Sequence, residues 1–443
     1  MSVMKFKQIA SIIEERIQSG FYAETTRLPT HRALAREFSS TPVTIAKAYK
    51  CLAERQQVES FVGRGTFVCS ATKFEVVIQA DQQKTQFNFS IIQPCLAYNV
   101  QKISEASQKV FASLTAEALS YSADTGTSSH RQAALLWAQK YALKGASAEQ
   151  ILLTSGVQNA LDILIRTYTQ AGDCIAIESL TYPGILSIAY LHKLNVIEVS
   201  GDEKGMLPEA LRSVLIKHQP KLVIIVPSQH NPTAFTMPNK RRLEIAKVIK
   251  NSQTFLIEDD IYGFLNTRYI GAISNSIPQQ SFYLSGISKA ISPALRCAFI
   301  KVPTQQLQKV YAAIRSSIWQ ASPLNFSIFS ALIYSGEAFE MAEKQRDIAH
   351  SRQLFTRRIF SLNLQENTTA FHLWLKLPRK WSAAKFILQA NKKNILVSSG
   401  DHFSAHQQHS QYIRLALMGI DNEMQFQQGI YALKKILDNP PLT

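Results

Sequence analysis

No run of this sequence is long and apolar enough to cross a membrane as a helix; the longest wholly aliphatic stretch extends only from Leu222 to Val226. The opening residues, MSVMKFKQIASIIEERI, are amphipathic and charged throughout, which is not the pattern of a secretory signal. Cysteine is scarce. The five residues at 51, 69, 95, 174 and 297 form no Cys-x-x-Cys pair, so neither a disulfide framework nor a zinc site is expected, and a reduced cytosol fits. Acidic residues are also few: 48 Lys and Arg against 32 Asp and Glu leave a net charge of +16, which favours contact with a polyanion. Residues 1–70 carry ten basic and six acidic side chains, hence +4, and the remainder +12, so charge alone does not locate a nucleic-acid face. No internal repeat or low-complexity tract stands out. Apolar residues, by contrast, are plentiful: 46% of 443 suffices for a sizeable core and for two or three domains.

Residues 5–19 place Phe6, Ile9, Ile12, Ile13 and Ile17 at helical spacing. After Gly20, Thr30 suits the cap of a helix running to Phe38, and Thr41-Pro42 opens a third helix with proline at its first position. In that helix Ile45, Ala48, Tyr49 and Leu52 make one buried stripe, leaving Thr44, Lys47 and, at the tip, Thr41 facing outward. Val58 to Cys69 alternates around Gly63-Arg64-Gly65, a hairpin pattern. The segment 1–70 is therefore either a winged helix-turn-helix, whose third helix enters the major groove, or a small helical cap with a surface hairpin.

Residues 71–86 are polar, contain neither Gly nor Pro, and read as a linker. From about Phe87 long amphipathic helices alternate with the short runs ILLTS, CIAIES, NVIEVS, KLVIIVP, TFLIED, SFYLSG and CAFIKVP. That alternation predicts a large α/β part over 87–330, with a mostly parallel sheet covered on both faces. A long helix, AFEMAEKQRDIAHSRQLFTRRIF, then leads into a smaller α+β unit over 331–443 carrying HLWLKLP, NILVSSG and YIRLALMG.

Polar residues collect at the strand ends. Ser155-Gly156-Val157 lies between a strand and a helix, where free amides and a hydroxyl can cradle a phosphate or simply make a turn. Tyr182, soon after a buried strand, can stack on a planar ring or merely pack. Asn231, between His230 and Pro232, holds an amide that can bond a phenolic oxygen, although such a segment is often just a turn. Glu258, Asp259 and Asp260 follow an apolar strand, with Tyr262 close behind. Burying an anion is costly without a partner, and a protonated pyridine nitrogen would be one. A metal fits less well, because no His or further carboxylate lies near at ligand spacing. Ser285-Gly-Ile-Ser-Lys289 ends a strand in hydroxyl residues and a single lysine, whose amine can form a Schiff base with an aldehyde cofactor. Ser285, Ser288 and Arg296 beside it suit a phosphate; a solvated lysine is the plain alternative.

The run LPTHRALAREF…TPVTIAKAYKCL…VGRGTFV resembles the DNA-binding domain of GntR-type bacterial regulators over residues 5–69. The resemblance implies DNA contacts by Thr30, Arg32, Thr41, Thr44, Lys47 and, at the wing tip, Arg64; Gln56-Gln57 stands where a turn glycine is usual. The ordered set at the strand ends is similar to fold-type I aminotransferases over roughly residues 87–440. That resemblance implies pyridoxal 5'-phosphate on Lys289 as a Schiff base, Asp259 on its pyridine nitrogen, and Asn231 and Tyr262 on the ring hydroxyl. Tyr182 would stack on the ring, while Ser155, Gly156, Val157, Ser285 and Arg296 would hold the phosphate. Tyr121, in YSADTG, matches a tyrosine lent to the phosphate across a dimer, and Arg414, in Tyr-Ile-Arg-Leu-Ala, an arginine that clamps a ligand carboxylate. Ala294 and Ala298 replace usual glycines, and His130 a usual leucine.

Together the two halves resemble the MocR branch of the GntR regulators. This implies a multidomain chain, a winged helix-turn-helix followed by an α/β fold-type I aminotransferase-like domain with a smaller α+β subdomain. It also implies a cytoplasmic bacterial regulator of amino-acid or vitamin B6 metabolism, a head-to-tail homodimer on double-stranded operator DNA, sensing pyridoxal phosphate or a small amino compound. Slow or absent transamination follows from the same resemblance. The alternative is a working aminotransferase with a DNA-binding appendage.

Overall fold

A computed structural model of the chain describes residues 6–18, 21–22, 26–54, 58–61, 65–68, 86–121, 126–363, 368–405 and 410–440. Two compact units emerge, Met1–Asp81 and Gln82–Thr443.

In the first unit the helices Phe6–Gln18, His31–Glu37 and Pro42–Glu54 precede an antiparallel pair, Val58–Phe61 and Gly65–Val68. The second helix begins as its sequence dictates: the Thr30 hydroxyl accepts from the Ala33 amide at 3.3 Å. Likewise the Thr41 hydroxyl accepts from the Thr44 amide at 3.2 Å, one residue before the proline that opens the third helix. Ile9, Ile13, Leu34, Ile45, Ala48 and Leu52 form the unit's core. The Tyr49 hydroxyl donates to the Pro29 carbonyl at 2.7 Å, tying the third helix to the turn ahead of the second. The Leu28 amide, donating to the Thr66 carbonyl at 2.8 Å, joins the hairpin to the same turn.

The second unit is built on a seven-stranded sheet in the order Ile151–Ser155, Cys297–Lys301, Ser281–Gly286, Phe255–Asp259, Leu222–Ile225, Cys174–Glu178, Asn195–Val199. All neighbours run parallel except Cys297–Lys301, which is antiparallel to both of its own. Alternate residues serve opposite faces, and both faces are apolar. Leu222, Ile224, Ile257, Phe282, Leu284 and Ile300 pack beneath helices Val157–Tyr168, Pro183–Leu191 and Leu307–Ile318. Val223, Ile225 and Leu256 pack with helices Pro208–His218 and Asn239–Lys250 on the other face. That double coverage is why the strand sequences read as continuous aliphatic runs.

A second sheet has the order His372–Lys376, Tyr412–Ala416, Ile395–Ser399, Phe87–Phe89, with helices Ala383–Asn391 and Glu423–Asp438 against it and the long helix Glu337–Ile359 leading to it. Its last strand corrects the expected division. Phe87–Phe89 does not open the large α/β part but pairs in parallel with Ile395–Ser399, inside the smaller one. The proposed linker 71–86 lies outside the described residues apart from Gln86. Among the described residues no helix is long and apolar enough to cross a membrane.

Candidate functional site

Parallel strands that stop at one edge deliver their following residues to one place, and that edge is where ligands of open α/β sheets bind. Here the chain brings together Ser155, Tyr182, Asn231, Asp259, Tyr262, Lys289, Arg296 and Arg414.

Each of the three successive carboxylates has a different environment. Glu258 accepts from the Ile273 amide at 2.9 Å and from the Ser274 amide and hydroxyl at 2.8 and 2.7 Å, with Arg242 at 3.7 Å. Asp260 accepts from the Tyr283 hydroxyl at 3.1 Å. Asp259 accepts from the Ile261 amide at 3.3 Å, and its nearby cation is Lys289. Burial pushes the Asp259 carboxyl up to about 7, with Asp260 adding repulsion. A cation bonded to Asp259 would relieve both effects, as a pyridinium N–H would.

This makes a stability prediction. The folded value of Asp259 lies above the unfolded one, so its contribution is fully present below pH ~3.9 and is lost as pH rises through about 7. Asp259→Asn, examined without cofactor, should therefore gain stability over the wild type at pH 8, by up to roughly 4 kcal/mol, and not at pH 4. Denaturant titration at the two pH values tests this; equal differences at both would remove the buried charge from consideration.

Lys289 follows the strand Ser281–Gly286, and its Nζ donates to the Ile92 carbonyl at 2.7 Å. Burial, then the positive fields of Arg414 and Arg296, lower its amine to about 8, while Asp259 opposes them. Nearby, one Arg414 nitrogen donates to Asn231 Oδ1 at 3.0 Å, and another to the Ser398 hydroxyl at 3.0 Å and to the Ser90 carbonyl. Its Nε is buried without a hydrogen-bond partner. Burial brings this guanidinium down to about 10. With Asn231 Oδ1 occupied by Arg414, the amide NH2 is left as donor to a phenolic oxygen. Tyr262 is buried near Arg414 and Asp259, and Tyr182 is half-buried near Asp259 and Arg414.

The loop between Ile151–Ser155 and helix Val157–Tyr168 forms a cradle. Gly156 has φ 90° and ψ 158°, a conformation open essentially only to glycine. A Cβ there would sit 2.1 Å from the Arg296 guanidinium, which donates to the Ser155 carbonyl at 3.3 Å. Arg296 is itself left-handed, with φ 53°, and exposed, so its remaining donors are open to an anion. Ser285 is differently engaged: its hydroxyl faces the Asp260 carbonyl at 3.4 Å. These groups fit pyridoxal phosphate: an amine of lowered basicity, a carboxyl needing a cation, an amide donor, and an anion cradle that a Cβ would fill.

Other expected residues fall elsewhere. Tyr121 is 80% exposed, edge-on to Trp319 at 5.8 Å, and reaches no site residue of its own chain. His130 is buried, its Nε2 3.3 Å from the Ser327 hydroxyl, and burial lowers it to about 4. In the first unit Arg32, Lys47, Thr30 and Thr41 are exposed, but the two threonine hydroxyls serve as caps. Thr44, expected to face outward, is half-buried with its hydroxyl 2.8 Å from that of Thr41. Arg64 and Gln56-Gln57 lie outside the described residues. Val43, not singled out by its sequence context, is 66% exposed on the third helix.

Sequence reasoning also missed Ser90 and Ile92, which act through main-chain carbonyls that no side chain advertises. His230 and His372 were missed as well: His372 Nε2 donates to the His230 carbonyl at 2.9 Å beside Asn231. His230 had a signal, its position directly before Asn231-Pro232.

Geometry thus defines a helix-turn-helix unit joined to a strand-end lysine site on a mostly parallel α/β sheet. The chain belongs to the aminotransferase class I and II family, whose family model matches residues 84–425. Residues 5–68 match the model for bacterial regulatory proteins of the gntR family, giving the MocR-type architecture. An uncharacterized HTH-type transcriptional regulator of Bacillus subtilis, YdeF, is 26% identical over 437 residues, covering 98% of this chain and 94% of that protein. A 2-aminoadipate transaminase of Thermus thermophilus is 23% identical, over 73% of this chain and 83% of its own. Among solved structures, LysN, the α-aminoadipate aminotransferase of Thermus thermophilus in complex with N-(5'-phosphopyridoxyl)-L-leucine, superposes with a TM-score of 0.73 at 22% identity, covering 83% of this chain and 95% of that one.

Proposed function

We propose that this protein is a pyridoxal-phosphate-dependent transcriptional regulator: the first unit binds operator DNA, and the second binds the cofactor and senses it or a small amino compound. The observation that carries this reading is the coexistence, in one chain, of a helix-turn-helix unit whose third helix exposes Val43, Lys47 and Lys50 and a strand-end site with a buried lysine of lowered basicity. Bound at the site, pyridoxal phosphate supplies an aldehyde for an amine and a ring that withdraws electrons. The chain's own residues do the rest. Lys289 offers the amine, Asp259 holds a proton-bearing ring nitrogen, Asn231 and Tyr262 orient the ring hydroxyl, and Tyr182 covers the ring face. Ser155, Gly156, Val157 and Arg296 surround the phosphate, and Ser285 joins them by turning its hydroxyl away from the Asp260 carbonyl. Arg414 receives a carboxylate in place of its present oxygen partners. A ligand can shift the DNA-binding equilibrium only by its differential affinity for the two states, so an effector must bind more tightly in one of them.

A homodimer is part of the proposal. The exposed Tyr121 and Trp319 pair is available to a second copy, whose phosphate site Tyr121 would complete. The scarcity of cysteine pairing fits the cytoplasm. The direct test is binding of the purified chain to DNA from upstream of its own gene, at fixed salt, with and without pyridoxal phosphate and then a panel of amines and amino acids. Ligand-blind, weak and strongly salt-dependent binding would sink the reading. The complete set Asn231, Asp259, Tyr262, Lys289 and Arg414 favours a second reading, a working aminotransferase. It is decided by amino-group transfer to 2-oxoglutarate or pyruvate.

At the DNA, Arg32→Ala and Lys47→Ala should each weaken binding, roughly tenfold, and flatten the dependence of log K on log salt by about 0.9 per lost phosphate contact. Unchanged affinity in both would take these helices out of the interface.

A further inference from the structure

The smaller part of the second unit carries a run with no acid in it. Residues 367–400 contain six Lys and Arg (376, 379, 380, 385, 392 and 393) and no Asp or Glu. All six are exposed. They are also held in place. Lys376 ends the strand His372–Lys376. The turn bearing Arg379 and Lys380 is pinned on both sides: the Leu377 amide donates to the Gln411 carbonyl at 2.7 Å, and the buried Trp381 donates to the Leu437 carbonyl at 3.0 Å. Ser382 then caps the helix Ala383–Asn391, which buries Ala383, Phe386 and Ala390. The opposite stripe, Lys385, Leu388, Asn391 and Lys392, faces water at spacings of three and four.

The chain enters this unit beside the far end of that helix, next to Lys392 and Lys393 and at the opposite end of the sheet from Lys376, Arg379 and Lys380. The amides of Gln86 and Phe87 both donate to the Asn394 carbonyl, at 3.1 and 3.2 Å, directly after Lys392 and Lys393. A duplex held by the first unit is covalently tethered to the Lys392–Lys393 end of the run, which raises its effective concentration there. Other occupants fit less well. A protein interface needs an apolar centre, and the stripe offers Leu388 alone. A membrane-surface helix would turn its apolar residues outward, whereas Phe386 points inward.

We infer that this basic face of the smaller subdomain is a second DNA-backbone contact, reading phosphates and not bases. The identity of the partner rests on the regulator reading above. The test compares three full-length proteins. One is the wild type, and one has Arg379, Lys380, Lys385, Lys392 and Lys393 changed to Gln. The third is a control with Lys140, Lys144, Lys217, Lys247 and Lys250, exposed elsewhere on the unit, changed to Gln. Affinity for the upstream DNA and for an arbitrary duplex of equal length is measured across a salt series. Cofactor absorbance and helix content confirm folding of each.

Losing three phosphate contacts would flatten the log–log salt slope by about 2.7. The first variant should show that flattening and bind about tenfold or more weakly on both duplexes, and the control should not. Equal slopes in the two variants would overturn the inference, leaving the face to an acidic protein or to solvent. A wild type with no preference for the upstream DNA would instead overturn the regulator reading, while the slope comparison on the arbitrary duplex still decides this one.

Discussion

Lys289→Ala should abolish covalent uptake of pyridoxal phosphate. After borohydride treatment the wild type should gain the mass of one reduced cofactor per chain, and the variant none. The expectation rests on the state of the amine. At about 8, roughly a tenth of it is free base at pH 7, against about one part in three thousand for an ordinary lysine. Only the free base attacks an aldehyde, so the rate of uptake should climb about tenfold per pH unit until it levels near 8. Removing the positive field of Arg414 should raise the amine's basicity and shift that plateau upward. In the regulator reading, Lys289→Ala also makes DNA binding indifferent to the cofactor. A variant that still fixed the cofactor would place the attachment on another lysine.

The variant should nonetheless fold. The folded value of the amine lies below that of a free lysine, so the unfolded state holds the proton more tightly. Burying it therefore costs stability in full below pH ~8, and that cost fades as pH rises toward ~10.4. Alanine at 289 removes this cost at neutral pH, which offsets part of the lost packing.

Gly156→Ala is the second substitution with a large expected effect. Two costs coincide there. The backbone at φ 90° and ψ 158° is strained for any residue with a Cβ, by about 1–3 kcal/mol. In addition the new methyl group would lie 2.1 Å from the Arg296 guanidinium. Arg296 is long enough to move aside, so the unit survives, but it then leaves the Ser155 carbonyl and the anion cradle. Cofactor affinity should fall by about a hundredfold or more, since a misplaced charge-assisted pair is worth roughly 1.5–3 kcal/mol in addition to the strain. Titration with pyridoxal phosphate and with inorganic phosphate reads this directly. Unaltered binding of both would remove the loop from the phosphate site. Arg296→Lys, which keeps the charge but loses the planar fork, should fall between the wild type and Gly156→Ala.

The elements of both units were legible in the sequence for reasons that are local. Thr30, Thr41 and Pro42 carry their capping chemistry with them, and the aliphatic strands advertise a sheet buried on two sides. The strand-end segments were legible as polar residues following apolar strands, because the ends of parallel strands share one edge. Singly each stayed ambiguous, and the roles of Ser155, Asn231, Asp259 and Lys289 came from the resemblance of the ordered set. Less was legible where the interaction is long-range. The carbonyls of Ser90 and Ile92 lie more than 190 residues from the cations they meet, and a carbonyl has no sequence signature. Thr44, expected to face outward, is half-buried, with its hydroxyl bonded to that of Thr41.

What the sequence determined by itself is the kind of elements, their order and the chemical groups at their ends, because caps, periodicity and strand composition act over a few residues. Only the tertiary structure supplied the physical reason why the three carboxylates differ. Glu258 and Asp260 found partners in Ser274, Arg242 and Tyr283, distant in sequence, while Asp259 was left facing Lys289. Tertiary structure also carried Phe87–Phe89 into the second sheet, since a parallel strand pairs by register and burial, not by its place along the chain.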